Sequence, residues 1–195
     1  MWRILVTTDI NDGISENDID FIQSKESKDW FSSLISYNTV IMDKFLWERI
    51  NTSLPKCASM VLSKEDIPLS KGMHNFSSFE DIYSFIDSQF PQTSSYVLGL
   101  NIFKEALPYS NIIFKTEVNA SIMTSKYFPK LDSAWILLAS SNIKYNGLIS
   151  YTHKIFVRDS ISQDELNSLL LTLKNFDINL WSVVGSIPNR DFDLQ

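Results

Sequence analysis

Few side chains in this sequence could carry out chemistry unaided. Cys57 is the single cysteine, and His74 and His153 are the two histidines. One cysteine cannot form an intrachain disulfide, and the sequence has no Cys/His cluster of the kind that holds zinc. A reactive thiol needs an electropositive setting, and Lys56 is the one basic residue next to Cys57. We therefore predict a buried structural thiol and no metal site.

The composition indicates a soluble globular protein, with 44% hydrophobic and 21% charged residues. The net charge of -6 argues against broad nucleic-acid binding, which needs a basic face. No apolar run approaches the length of a membrane span, and Asp9 and Asp12 follow the apolar start too closely for a signal peptide. We expect a cytoplasmic protein that binds neither nucleic acid nor membrane.

Apolar periodicity predicts strands that alternate with helices. The predicted strands are residues 2–8, 39–42, 58–63, 73–76, 96–98, 112–120, 134–139, 148–157 and 178–184. The predicted helices are residues 27–36, 44–50 and 100–107, with two more that begin at capping boxes of Ser77 with Glu80 and Ser162 with Glu165. Asn146-Gly147 favours a hairpin between the last two long strands. This order implies an α/β fold, with helices on both faces of a mostly parallel sheet that has an antiparallel C-terminal end.

One stretch of the chain combines a strand, a helix, a turn and a second strand. It comprises residues 40–50, then Leu54-Pro55, then residues 60–63. Further motifs lie before and after it in the chain: Trp30-Phe31, Tyr96-Val97-Leu98-Gly99, Thr116-Glu117-Val118 and Tyr127-Phe128-Pro129. With these motifs in this order and spacing, residues 2–158 resemble the dihydrofolate reductase family.

The resemblance implies the fold and reaction of that family, which transfers a hydride from NADPH to dihydrofolate. Residues 1–158 would form the reductase-like domain, and residues 159–195 an extension packed on it or projecting from it. Thr116 matches the threonine that supports the catalytic carboxylate, and Glu26 is the candidate carboxylate. The candidate cofactor contacts that the resemblance implies are Lys44, Ser63, Lys64 and Gly99.

Several positions differ from the family's pattern. Ser27 stands where the family has its carboxylate and cannot hold a negative charge. Leu98-Gly99-Leu100 keeps one of the two glycines that let the backbone approach the cofactor phosphates. Asp43 would repel a phosphate, and Cys57 replaces the arginine that binds the folate carboxylate.

From these differences we predict a catalytically degenerate member of the family that needs no cofactor and acts as a binding or structural module. The alternative is an active, divergent NADPH-dependent reductase that uses Glu26 and Thr116. A third possibility is a pocket that binds a nucleotide or small ligand without chemistry. The frequent Asn, Lys, Ile and Ser suggest an AT-rich genome, and we predict a bacteriophage protein that acts in the host cytoplasm.

The extension carries leucines at the spacing of one helix face: Leu166, Leu169, Leu170 and Leu173. Such a stripe most often packs on its own domain, and that alternative stays open. Because it lies beyond the minimal fold of the family, we predict that it mediates a homo-oligomer or binds a partner protein.

Overall fold

The computed structural model describes residues 2–15, 25–50, 54, 56–69, 73–174, 176, 181–188 and 190. It describes the backbone alone for Lys25 and Ser27. The chain forms two compact units, one of Met1–Leu5 with Phe31–Ser110 and one of Val6–Trp30 with Asn111–Gln195. The predicted boundary at residue 158 is a different division and stays a prediction.

The described residues form ten strands and five α-helices, most within two residues of the predicted bounds. The strands are β1 (Trp2–Asp9), β2 (Thr39–Asp43), β3 (Ala58–Leu62), β4 (Met73–Phe76), β5 (Ser95–Leu98), β6 (Ile112–Val118), β7 (Trp135–Ser141), β8 (Lys144–Asn146), β9 (Ile149–Arg158) and β10 (Trp181–Val183). The helices are α1 (Lys25–Ile35), α2 (Lys44–Ile50), α3 (Phe79–Gln89), α4 (Phe103–Ala106) and α5 (Gln163–Leu173), with a 3-10 turn at Leu107–Tyr109.

Parallel strands form the first unit, in the order β1-β5-β2-β3-β4. Ile4 and Ile41 both align with Val97, and all three side chains are fully buried. Unbroken apolar runs of this kind are typical of parallel strands that are covered on both faces. Because β2 and β5 are parallel, their carboxyl ends meet at one edge of the sheet, where Asp43 ends β2 and Gly99 follows β5.

Helix α3 begins one residue later than predicted. The hydroxyl of Ser78 accepts a hydrogen bond from the backbone N–H of Asp81 at 3.1 Å. The predicted capping box of Ser77 with Glu80 is therefore wrong. Two serines are followed at the same spacing by two acidic residues, so the local pattern fits either start equally well. Ile82, in the first turn of this helix, is fully buried in the core.

Antiparallel strands form the second unit, in the order β6-β9-β7-β10, with β8 paired to β9. The Asn146-Gly147 turn, with Gly147 at φ 62°, joins β8 to β9. The prediction that it joins β7 to β9 is wrong. Strand β9 is ten residues long, so its first part pairs with β8 and its second part with β7.

Helix α5 has the predicted capping box. Ser162 accepts the N–H of Glu165 at 3.2 Å, and the carboxylate of Glu165 accepts the N–H of Ser162 at 3.3 Å. The predicted interface leucines are covered by the chain itself, fully at three positions and in part at the fourth: Leu166, Leu169, Leu173 and, half-buried, Leu170. Their role in binding a partner stays a prediction.

The predicted α/β class is confirmed. Parallel strands make up the first unit, and antiparallel strands lie at the C-terminal end, as expected. Among the helices that the structure describes, none is both long and apolar enough to cross a membrane.

Candidate active site

Asp43 connects the start of α2 to the loop that follows β5. Its Oδ1 atom accepts a hydrogen bond from the N–H of Leu46 at 2.9 Å, which caps α2 as predicted. Its Oδ2 atom accepts hydrogen bonds from the N–H groups of Leu100 and Asn101, both at 2.8 Å. Converging backbone N–H groups are a common way to bind an anion. Here the protein's own carboxylate occupies that position.

Gly99 makes the close approach of Asp43 possible. Its φ is 141°, a conformation that side chains disfavour. A Cβ atom at this position would lie 2.6 Å from Oδ2 and 2.7 Å from Cγ of Asp43. The sequence explains this glycine by a cofactor alone, whereas the structure shows that the contact with Asp43 requires it as well.

The other candidate cofactor contacts of the first unit differ in whether their polar groups are free to bind a ligand. Lys44 pairs with Glu65 at 2.5 Å and with Glu48 at 3.6 Å. The hydrogen bond that Lys44 donates to the carboxylate of Glu65 is the main cause that raises the pKa of Lys44. Ser63 is buried and donates its hydroxyl to the carbonyl of Glu65 at 3.1 Å. Lys64 is exposed and forms no ion pair with any described residue. Lys64 is thus the cation of this group that a phosphate can reach without breaking an existing pair.

In the second unit, Thr116 and His153 form a buried polar pair across β6 and β9. Oγ1 of Thr116 lies 2.9 Å from Nδ1 of His153, while Nε2 of His153 is buried without a partner. A buried N–H without an acceptor is rarer than a buried acceptor without a donor. We therefore assign the proton to Nδ1, which donates to Thr116. The hydroxyl proton of Thr116 is then free to donate to another group.

The environment of His153 keeps its ring neutral. Burial lowers the pKa of His153 to about 3, and the positive charge of Lys144 adds to this effect. The ring stacks on Trp30 with centroids 4.7 Å apart. Trp30 also contacts two rings of the C-terminal extension, those of Phe176 at 4.4 Å and Trp181 at 5.3 Å. The extension therefore contributes directly to the packing around the Thr116–His153 pair.

Glu26 and Thr116, the two candidate catalytic residues, have different surroundings. Thr116 is buried, whereas Glu26 lies exposed on the first turn of α1 and forms an ion pair with Lys144. Helix α1 begins at Lys25, so Glu26 is already part of the helix. The side chain of Ser27, at the family's carboxylate position, lies outside the described residues.

Sequence reasoning missed Asp9, whose carboxylate organises the loop after β1. It accepts the N–H groups of Asn11 and Gly13 at 2.7 Å and of Ile122 at 2.9 Å. Burial alone would raise the pKa of Asp9, but these hydrogen bonds and nearby Lys115 outweigh it and hold the pKa below its ordinary value. The available signal was an aspartate two residues before an Asn-Asp-Gly turn. A small open depression adjoins this loop and is lined in part by Thr8, Gly13 and Ile122.

Cys57 is half-buried and donates to the carbonyl of Leu54 at 3.4 Å. Burial raises the pKa of the Cys57 thiol, which disfavours the reactive thiolate. In the part of the chain that the structure describes, no three His, Cys, Asp or Glu side chains are grouped so as to hold a metal ion.

The chain is similar to known dihydrofolate reductases. The family model described as dihydrofolate reductase matches residues 2–158. A dihydrofolate reductase type A13 from Escherichia coli is 27% identical over 128 residues, 66% of this chain and 76% of the relative. The dihydrofolate reductase of Buchnera aphidicola is 28% identical over 131 residues, 66% of this chain and 80% of the relative.

A solved structure shows the same fold. It is the dihydrofolate reductase from Enterococcus faecalis complexed with NADP(H) and RAB-propyl. The TM-score is 0.66 at 19% identity, over 81% of this chain and 96% of the other. The two chains therefore share their architecture over nearly the whole length of that enzyme.

Proposed function

The chain belongs to the dihydrofolate reductase family, and on that premise we propose that it reduces dihydrofolate with a hydride from NADPH. The observation that carries this proposal is the family match over residues 2–158, which runs from β1 through β9. Two relatives named as dihydrofolate reductases, and a solved reductase that holds NADP(H), support it.

The prediction of a catalytically degenerate binding module is wrong. The match spans the reductase core, and the curated relatives that it resembles over 76% and 80% of their lengths are both reductases. Asp43, Cys57 and Ser27 therefore represent divergence within a family of reductases. The reductase that the sequence offered as the alternative is the better interpretation.

On the dihydrofolate side, we assign the binding role to the Thr116–His153 pair. In the tautomer assigned above, Nδ1 of His153 donates to Oγ1 of Thr116 at 2.9 Å, and we propose that the threonine proton donates to the substrate. The ring of His153 stays neutral because burial lowers its pKa to about 3. The pair thus supplies an oriented hydroxyl, and it adds no charge near the substrate.

On the cofactor side, the residues fit NADPH in part. NADPH supplies the hydride when bound. Lys64, exposed two residues after the end of β3, is free to meet a phosphate. The N–H groups of Leu100 and Asn101 are suited to a phosphate oxygen, but the Asp43 carboxylate already accepts both. As it stands, this loop does not fit an anionic phosphate.

The test measures the consumption of NADPH in the presence of dihydrofolate, and the loss of NADPH absorbance is the readout. We expect turnover by the purified chain, and about tenfold or greater loss of kcat/KM for Thr116→Val, as is usual when an oriented polar group is removed. Thr152→Val, at a half-buried threonine on β9, is the matched control. No turnover at any NADPH concentration would refute the proposal.

Location, source and assembly stay proposals. We infer a cytoplasmic protein, encoded by a bacteriophage, that binds no nucleic acid. We also infer that residues 159–195 support self-association or a partner protein. Light scattering on the full chain and on a variant truncated after Arg158 would test the assembly.

A further inference from the structure

We propose that Asp43 determines the affinity for the cofactor, because its carboxylate competes with a cofactor phosphate for the N–H groups of Leu100 and Asn101. This inference rests on the proposed function, since it concerns the NADPH that the reductase would use. The N–H groups of this loop are suited to bind an anion, but the carboxylate of Asp43 already occupies that position.

The position of the loop favours ligand binding. In α/β sheets, ligands bind outside the carboxyl ends of parallel strands. The Leu100 and Asn101 N–H groups lie just beyond the end of β5, next to the end of β2, where Asp43 is the last residue. Their two bonds, both 2.8 Å long, meet at a single carboxylate oxygen. Two N–H groups that converge on one oxygen form the geometry that binds phosphate oxygens in proteins.

The carboxylate is held firmly in this place. It accepts three backbone hydrogen bonds, from Leu46, Leu100 and Asn101, and hydrogen bonds to an ionised group are stronger than neutral ones. Asp43 is 8% exposed, so water competes weakly for the carboxylate. A phosphate oxygen can reach the same N–H groups only after the side chain of Asp43 turns away.

Asp43 forms no ion pair with any described residue. Lys44 follows it directly, but its ammonium group is bound to Glu65 and Glu48. A phosphate that approached the loop would therefore meet an unpaired negative charge. Repulsion between like charges a few ångströms apart opposes binding, and the low exposure of the site strengthens it.

Asp43 is thus a specificity-determining residue. It weakens the binding of ligands with a phosphate at the Leu100–Asn101 loop, and it leaves the binding of groups that contact other surfaces unchanged. A fragment of the cofactor without the pyrophosphate, such as adenosine 2′-monophosphate, should not respond to the identity of residue 43.

The experiment compares the wild-type protein with Asp43→Ser. Serine keeps the ability to cap α2, but it has no charge and is too short to place a carboxylate on the loop. Asp87→Ser is the matched control, because it removes the same charge from an exposed aspartate on α3. Calorimetric titration measures the dissociation constant of NADPH and, separately, of adenosine 2′-monophosphate.

We expect Asp43→Ser to bind NADPH about tenfold or more tightly, the effect of losing one close like-charge contact. Its affinity for adenosine 2′-monophosphate should stay within twofold of the wild type, about the scatter of such comparisons. Asp87→Ser should match the wild type with both ligands. Equal or weaker binding of NADPH to Asp43→Ser, or no binding to either protein, would overturn the inference.

Two further results keep the inference separate from the proposed function. If the wild type turns over dihydrofolate and Asp43→Ser shows no tighter binding, the inference fails and the function stands. If Asp43→Ser binds NADPH more tightly and neither protein turns over dihydrofolate, the function fails and the inference stands. Asp43→Asn provides the same comparison should the serine variant fail to fold.

Discussion

Nδ1 of His153 lies 2.9 Å from Oγ1 of Thr116, and no other polar atom of the described residues satisfies the remaining nitrogen of the ring. The two residues face each other in the β6–β9 register. The pair thus combines a hydrogen bond with a ring that strongly resists protonation, and this combination makes the protein sensitive to acid.

Protonation of His153 in the unfolded chain should reduce stability at mildly acidic pH. The pKa is about 3 in the folded protein and 6.5 in a free histidine, so only the unfolded state gains this proton between those values. The contribution of the neutral His153 ring to the free energy of unfolding is therefore fully present above pH 6.5, and it decreases as the pH falls toward 3. We expect a loss of about 2 kcal/mol between pH 7 and pH 5, measured by urea unfolding.

His153→Phe should remove this part of the pH dependence, whereas His74→Asn, at an exposed histidine, should retain it. Equal slopes of stability against pH in His153→Phe and the wild type would contradict the prediction.

Gly99→Ala should destabilise the protein through two separate effects. The φ of 141° strains an alanine, which costs about 1–3 kcal/mol, and the new Cβ would lie 2.6 Å from Oδ2 of Asp43. Asp43→Ser should relieve the second effect alone. A double-mutant cycle measured by urea unfolding should therefore show a coupling of about 0.5–3 kcal/mol between the two positions. If the stability changes of the two single variants simply add in the double variant, Asp43 makes no steric contact with a side chain at position 99.

Leu169→Ala should lower the free energy of unfolding by about 2–5 kcal/mol, because its side chain is fully buried. Leu171→Ala is the control on the same helix, at a side chain that is 67% exposed, and should change stability by less than about 0.5 kcal/mol. Light scattering on both variants tests the predicted interface. A Leu169→Ala protein of unchanged stability but altered oligomeric state would favour a surface role for the leucines.

Glu26→Gln should leave the reductase activity within about twofold of the wild type, a change of under 0.5 kcal/mol in the barrier. The carboxylate of Glu26 is exposed and paired with Lys144, and exposed pairs contribute about 0–1 kcal/mol. Steady-state kinetics with dihydrofolate provides the measurement. A loss of a hundredfold or more in kcat would instead make Glu26 the carboxylate of the reaction.

Local patterns predicted the elements well and the contacts between them poorly. The Asp43 cap and the Ser162–Glu165 capping box involve residues three apart, so the sequence contains the whole interaction. The hydrogen bonds that Leu100 and Asn101 donate to Asp43 span 57 and 58 residues. They depend on which strands become neighbours, and periodicity within one strand does not determine that.

The same limit applies to Thr116 and His153, which are 37 residues apart. Both strands were predicted, but their pairing depends on a register that is fixed by distant packing. The leucine stripe of α5 shows the converse limit. Its spacing predicted one apolar face, and only the structure shows that the chain itself covers that face.

The stacking of Trp30 on His153 makes this indole, one of five in the sequence, a local optical reporter. Protonated imidazole quenches indole emission, but the ring beside Trp30 stays neutral to about pH 3. Above that pH, changes in Trp30 emission therefore record movement of the rings packed around it and carry no contribution from the charge of His153. Because Phe176 and Trp181 also lie against Trp30, loss of these contacts with the C-terminal extension should change the surroundings of this indole and hence its emission.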